Sequence, residues 1–153
     1  MSLTIHVQRE SFDIADEIAA LTAGRSDIGA VVTFTGLCRD EAGRLAALEL
    51  EHYAGMAEAE LRRVAEEARQ RWSLQGLTII HRFGMVAPGE TIVLVATASV
   101  HRGAAFAAAE FLMDYLKTRA PFWKREHLAD GRTGDWVEAA AHDDVAAARW
   151  RTI

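Results

Sequence analysis

Residues 3–9 alternate apolar and polar side chains as Leu-Thr-Ile-His-Val-Gln-Arg, the period-two pattern of a half-buried strand. Ser11 can cap a short helix running to about residue 21, with Asp13 and Asp16 favourable in its first turns. Residues 28–38 (IGAVVTFTGLC) are β-branched and apolar and predict a central strand. A polar turn at 39–43 follows, and residues 45–53 (LAALELEHY) alternate again, so the two strands read as a hairpin. Residues 56–72 are the clearest helix, with Leu61, Val64, Ala65 and Ala68 at helical spacing and charges on the other faces. Two strands at 77–82 and 91–101 flank the turn-rich FGMVAPGE. A second long helix at 103–120, apolar at Ala105, Ala109, Leu112 and Leu116, stops at Pro121. Short strands at 122–127 and 136–139 and a closing helix at 143–150 complete the pattern. Strands and helices mix without strict alternation, which predicts an α+β fold. With no linker-like or repeated stretch, residues 1–153 read as one domain.

Composition narrows the function classes. Hydrophobic residues make up 50% of the chain and charged ones 25%, which excludes wholesale disorder. A net charge of −5 argues against a broad nucleic-acid or membrane footprint while leaving room for a local basic pocket. The lone Cys38 allows neither an intrachain disulfide nor a cysteine-based zinc cluster. Acidic residues come early, no long apolar segment marks a secretory signal, and the apolar stretch near 92–100 is too short to span a bilayer. A cytoplasmic location is therefore expected. The basic residues are skewed: fifteen are arginine and two are lysine, and both lysines fall in the octapeptide KTRAPFWK.

That octapeptide is the first place where chemistry could reside. Lys117 ends the long helix and Lys124 follows its proline stop, so both amines can approach one cleft. Lysine, unlike arginine, can lose its proton when desolvated or crowded by cations such as Arg119 and Arg125. It can then serve as nucleophile or general base. The plainer alternative is a helix-end cation beside a surface lysine. The second candidate is His101-Arg102-Gly103 at a strand-to-helix junction, where free amide donors and a guanidinium suit phosphate or carboxylate. Gly103 could equally be only a cap. The third is the loop at Arg39, a possible further anion contact; its neighbour Cys38 fits a small buried hydrophobe better than a nucleophile. The remaining histidines show no metal-ligand spacing, and no GxGxxG, Walker loop or GxSxG elbow is present.

The segments GAVVTFTGLCR (29–39), LELEHYAGM (48–56), HRFG (81–84), SVHRGAAF (99–106), FLMDYLKTRAPFWKRE (111–126) and WVEA (136–139) carry a family resemblance. Over nearly its whole length the chain resembles the MoaE family, the large catalytic subunits of molybdopterin synthase. The resemblance implies an α/β-hammerhead-type α+β domain with a mixed sheet and two long helices. It implies a sulfurtransferase of molybdenum cofactor biosynthesis, with no cofactor or metal of its own. The implied partners are a second copy of the chain and a small ubiquitin-like sulfur-carrier (MoaD-like) subunit ending in a Gly-Gly thiocarboxylate. The implied substrate is cyclic pyranopterin monophosphate (precursor Z), which receives two sulfurs to form the molybdopterin dithiolene. By the same resemblance Lys117 and Lys124 are catalytic, Arg125 and Glu126 line the substrate, and Arg39, His101 and Arg102 hold its phosphate or pterin. Two positions depart from the family pattern. Leu37 replaces a common lysine, and Ala140 stands where an arginine reaching across the dimer is common; Arg132 or Arg149 are the candidates to compensate. A non-catalytic protein that binds a ubiquitin-like tail or a pterin phosphate is the alternative from another class.

Overall fold

The computed structural model describes residues 1–53, 55–119, 122–138 and 148–151. Its elements follow one another as β1 (Ser2–Gln8), α1 (Ile14–Thr22), β2 (Ala30–Leu37), β3 (Leu45–His52), α2 (Met56–Arg71), β4 (Gly76–Arg82), β5 (Gly84–Val86), β6 (Thr91–Ser99), α3 (Arg102–Arg119) and β7 (Phe122–Leu128). The class is α+β, as expected. The strands form two sheets: a mixed four-stranded one in the order β1-β4-β6-β2, and a three-stranded one in the order β5-β3-β7.

Strand pleating explains how the large sheet acquires two buried faces. Alternate residues Ile5, Leu77, Ile79, Val93 and Val95 point to one side and meet Leu61, Val64, Ala65 and Ala68 of α2 and Ala108, Phe111, Leu112 and Leu116 of α3. The periodic positions of both long helices are all buried. On the other side Ala96 and Ala98 receive Leu21 of α1. The Asp13 side chain caps α1, accepting from the Asp16 N–H at 3.0 Å, so the cap lies two residues beyond Ser11.

The expected hairpin of β2 and β3 does not form. β2 pairs antiparallel with β6 along its length, while β3 pairs with β5 and β7 in the other sheet. Each strand finds a longer apolar ladder elsewhere, and a register shift between Gly36 and Leu37 turns the chain out of the large sheet. The polar turn survives as a corner between sheets, closed by Asp40 Oδ1 accepting from the Leu45 N–H at 2.8 Å. Gly29 has to be glycine, because a Cβ there would lie 2.0 Å from the Val100 carbonyl oxygen. The expected strand at 136–139 reduces to a single bridge between Lys124 and Val137. The closing helix at 143–150 falls mostly outside the described residues. Among those described, no helix is long and apolar enough to cross a membrane.

Candidate functional site

The registers of the large sheet decide which candidate residues meet. Leu37 of β2 lies opposite Thr91 of β6, and Val93 of β6 lies opposite His81 of β4. The exit of β2, the start of β6 and the end of β4 therefore share one end of the sheet. α3 starts at the other end, after Ser99, and returns along the sheet. Lys117 comes back to the end where Arg39 leaves β2, whereas His101 and Arg102 stay at the far end. Fifteen residues separate Arg102 from Lys117, about 22 Å at 1.5 Å per helical residue. Within one chain the anion-binding junction and the amine pair are thus not one pocket.

The smaller sheet packs against the Lys117 end through Cys38, Leu45, Leu50 and Val86, with Ile92 joining this cluster to the main core. Burial pushes the Cys38 thiol pKa up, and its Sγ lies 3.7 Å from the Val86 carbonyl oxygen as donor, which fits a buried hydrophobe rather than a nucleophile. The β7 strand reads out by pleat. Phe122 stacks on His81, with centroids 3.8 Å apart and ring planes 16° from parallel. Lys124, two residues on, shares that face about 7 Å further along the strand and is exposed, as is Lys117. Glu126 follows on the same face and meets Arg44 at 3.1 Å.

Arg125 points to the opposite face of the small sheet. Its Nε donates to Glu49 Oε1 at 2.8 Å, the His127 ring nitrogen Nε2 meets the same oxygen at 2.8 Å, and the guanidinium lies 4.4 Å from the Trp136 ring centre. Both bonds hold the Glu49 carboxyl below its usual pKa, His127 contributing most and Arg125 next. Folding lowers this pKa, so the stability it contributes is present above the ordinary value of 4.5 and is lost as pH falls through the lower folded value. Glu49→Gln is expected to lower the melting temperature at pH 7 by roughly 3–6 °C, from a loss of about 1–2 kcal/mol. The gap to wild type narrows in thermal melts as pH falls below 4.5; a gap that does not narrow with falling pH contradicts the assignment.

The other predicted anion contacts are open. Arg39 is exposed and reaches Glu41 at 3.1 Å, and His101, Arg102 and Gly103 are exposed at the start of α3. Leu37 is exposed too. The two candidates to compensate for Ala140 are engaged locally: Arg132 with Asp130 at 2.7 Å, and Arg149 with Glu110 at 2.6 Å and Asp114 at 2.8 Å. Position 140 itself lies outside the described residues. Among those described, no group of three His, Cys, Asp or Glu residues could hold a metal ion.

Two imidazoles at the Lys117 end were not singled out by sequence. Burial pushes the His81 pKa down to about 4, and the charges of Lys117 and His52 push the same way against a bond to the Arg82 carbonyl. His52 lies between Phe83, at 4.3 Å, and Phe122, at 5.9 Å. The alternation of β4 could have flagged His81 as inward-facing; the pairing of His52 with Phe122 is a register fact with no local signal.

Comparison with known proteins gives a consistent result. A family model described as MoaE protein matches residues 7–119. A molybdopterin synthase catalytic subunit from Mesorhizobium japonicum is 66% identical over 97% of this chain and 94% of its own. The structure of a molybdopterin biosynthesis MoaE protein from Burkholderia ambifaria superposes with a TM-score of 0.83 at 50% identity, covering 98% of both chains. That of molybdopterin synthase from Staphylococcus aureus superposes at 0.77 and 30% identity, covering 86% of this chain and 94% of the other.

Proposed function

This chain belongs to the MoaE family, and on that premise we propose that it is the catalytic subunit of a molybdopterin synthase. It is a sulfurtransferase that acts with a small ubiquitin-like carrier whose Gly-Gly C-terminus bears a thiocarboxylate. The carrier's sulfur passes to cyclic pyranopterin monophosphate, and two such transfers build the dithiolene of molybdopterin. The observation that best supports this is the use of the chain's two lysines: both are exposed, Lys117 near the end of α3 and Lys124 on β7 two residues beyond the Phe122 that stacks on His81. A cytoplasmic location goes with this reading, supported by the single cysteine being buried and free.

The chemistry follows from the residue types. The thiocarboxylate tail seats at the Lys117 end, and its sulfur attacks a side-chain carbon of the pterin, displacing an oxygen there that leaves with a proton and joining carrier to pterin through a thioester. Lys117 and Lys124 stabilise the negative charge that develops and move protons. Water then cleaves the acyl carbon–sulfur bond, leaving the sulfur on the pterin as a thiolate and freeing the spent carrier as a carboxylate, and a second carrier repeats the step. Arg39, at the same end, meets the substrate's anionic part. His101 and Arg102 act with the free amides of α3 as a phosphate site. Their distance of about 22 Å from Lys117 exceeds the reach of one small pterin, which supports a homodimer in which a second copy brings its α3 start to the Lys117 end.

The test is reconstitution. The purified chain, mixed with thiocarboxylated carrier and precursor, is expected to yield molybdopterin, and carrier with an ordinary carboxylate to yield none. Carrier binding without product in the first mixture would make the chain a binding protein instead.

A further inference from the structure

Arg39 stands where the chain leaves β2, and the groups that hold that point have no part in the chemistry above. The residue before it, Cys38, is clasped on both sides of its backbone by the turn that leads into β6. Its N–H donates to the Glu90 carbonyl at 2.8 Å, and its own carbonyl accepts from the Gly89 N–H at 2.7 Å. The residue after it, Asp40, is fixed through its side chain, which accepts from the Leu45 N–H at 2.8 Å. Between these two anchors the Arg39 side chain is 81% exposed and reaches Glu41.

The clasping turn is itself built around Glu90. The Glu90 N–H donates to the Ala87 carbonyl at 3.0 Å, and the Ala87 N–H donates back to Glu90 Oε1 at 2.6 Å, a reciprocal pair of the kind that caps helices. The other carboxylate oxygen, Oε2, lies 3.6 Å from Arg82 Nη1. Arg82 is a cation only 7% exposed, and backbone carbonyls place it: Nε donates to Arg9 at 3.0 Å and Nη1 to Thr91 at 3.5 Å. A charge buried so deeply holds its carboxylate partner in place, because leaving it unpaired is costly. A connection from β5 to β6 needs neither a buried guanidinium nor a side-chain cap. What the fastening achieves is a fixed exit for β2, just after the register shift between Gly36 and Leu37 turns the chain out of the large sheet.

We propose that Glu90 is a positioning residue for Arg39: its carboxylate braces the 87–90 turn against Arg82, and the turn holds Cys38 and so fixes the point from which Arg39 reaches the substrate's anionic part. The proposal rests on the sulfur-transfer function given above and adds to it a residue that touches neither carrier nor pterin. A guanidinium whose backbone is already in place loses less freedom when the substrate binds.

The test joins amide hydrogen exchange on the chain alone to steady-state kinetics with thiocarboxylated carrier. In Glu90→Ala the Cys38 and Gly89 amides are expected to exchange at least about tenfold faster than in wild type, while those in the middle of β4 are unchanged. The KM for the pterin is expected to rise about tenfold with kcat within about twofold of wild type, the pattern of a loosened binding contact. Arg39→Ala raises the same KM, and Arg39→Ala combined with Glu90→Ala raises it no further, because a group acting through Arg39 then has nothing to act on. Glu90→Gln, whose amide oxygen can still accept from the Ala87 N–H, is expected to recover most of the wild-type KM. Should Glu90→Ala fail to fold, Glu90→Asp, one carbon short of that N–H, must show the same rise in KM. Exchange at Cys38 and Gly89 identical to wild type, or KM effects of the two alanine substitutions that multiply, would overturn the role of Glu90. Absence of product with the wild-type chain would be a failure of the function instead, and the exchange rates, read without carrier or pterin, keep the two apart.

Discussion

Lys117→Ala is expected to lower product formation at least about 100-fold, the lower end of what a positioned proton-transfer group contributes, while leaving carrier binding and melting temperature close to wild type. The stability half of this expectation comes from position: Lys117 is exposed on the outer turn of α3, whereas its neighbour Leu116 is in the core. The activity half comes from chemistry. Transfer from a thiocarboxylate develops negative charge on oxygen and sulfur, and an ammonium held at that place stabilises it. Lys117→Arg is expected to fail nearly as badly, because a guanidinium keeps its charge but cannot give up a proton in the working pH range. Single-turnover formation of product, together with a thermal melt, checks both halves. An alanine variant that turns over like wild type would remove Lys117 from the mechanism.

Phe111→Ala is expected to cost about 3–5 kcal/mol, the range for emptying a buried aromatic site, and so to lower the melting temperature by roughly 10 °C. Phe111 is fully buried in the middle of α3. Its ring lies 5.3 Å from Trp72, 5.6 Å from Trp150 and 4.7 Å from Tyr115, with the Arg71 guanidinium 4.8 Å from its centre. The surrounding rings are large and mutually braced, so the hole cannot collapse cheaply. Residues 148–151 are fastened at the same point, Arg71 donating to the Trp150 carbonyl at 2.8 Å and Trp150 donating to Asp114 at 2.6 Å. Since Lys117 rides on the same helix less than two turns away, activity is expected to fall as well, because small displacements of a reacting group are costly. Urea unfolding measures the stability term; a change below about 1 kcal/mol would show that this cluster does not hold α3 in place.

Local periodicity carried much of the fold into view. The apolar positions of α2 and α3 are set by contact with one sheet face, and that repeat is written directly in the sequence at Leu61, Val64, Ala65 and Ala68. The split into two sheets was not legible. β2 and β3 are adjacent in the chain and both alternate, but their partners, β6 and β7, are chosen by ladder length and core fit across the molecule. The same limit applies at the site. The octapeptide with both lysines was visible because lysine is scarce here, and Pro121 marked the turn between them. That Arg125 turns away to Glu49 depends on the pleat of β7, and that His101 and Arg102 lie a helix length from Lys117 depends on α3 being one unbroken element. The stack of Phe122 on His81 was not legible because the two residues lie forty-one positions apart in the chain.

The central claim is that sulfur leaves the carrier's C-terminus for the pterin at the Lys117 end of this chain. It is tested most directly by a single turnover with carrier whose thiocarboxylate is labelled with a heavy sulfur isotope, following the mass of both partners. The account predicts that the label disappears from the carrier and appears in the pterin with the wild-type chain, and stays on the carrier with Lys117→Ala. Label that remains on the carrier with the wild-type chain, or that reaches the pterin equally well without Lys117, would contradict it.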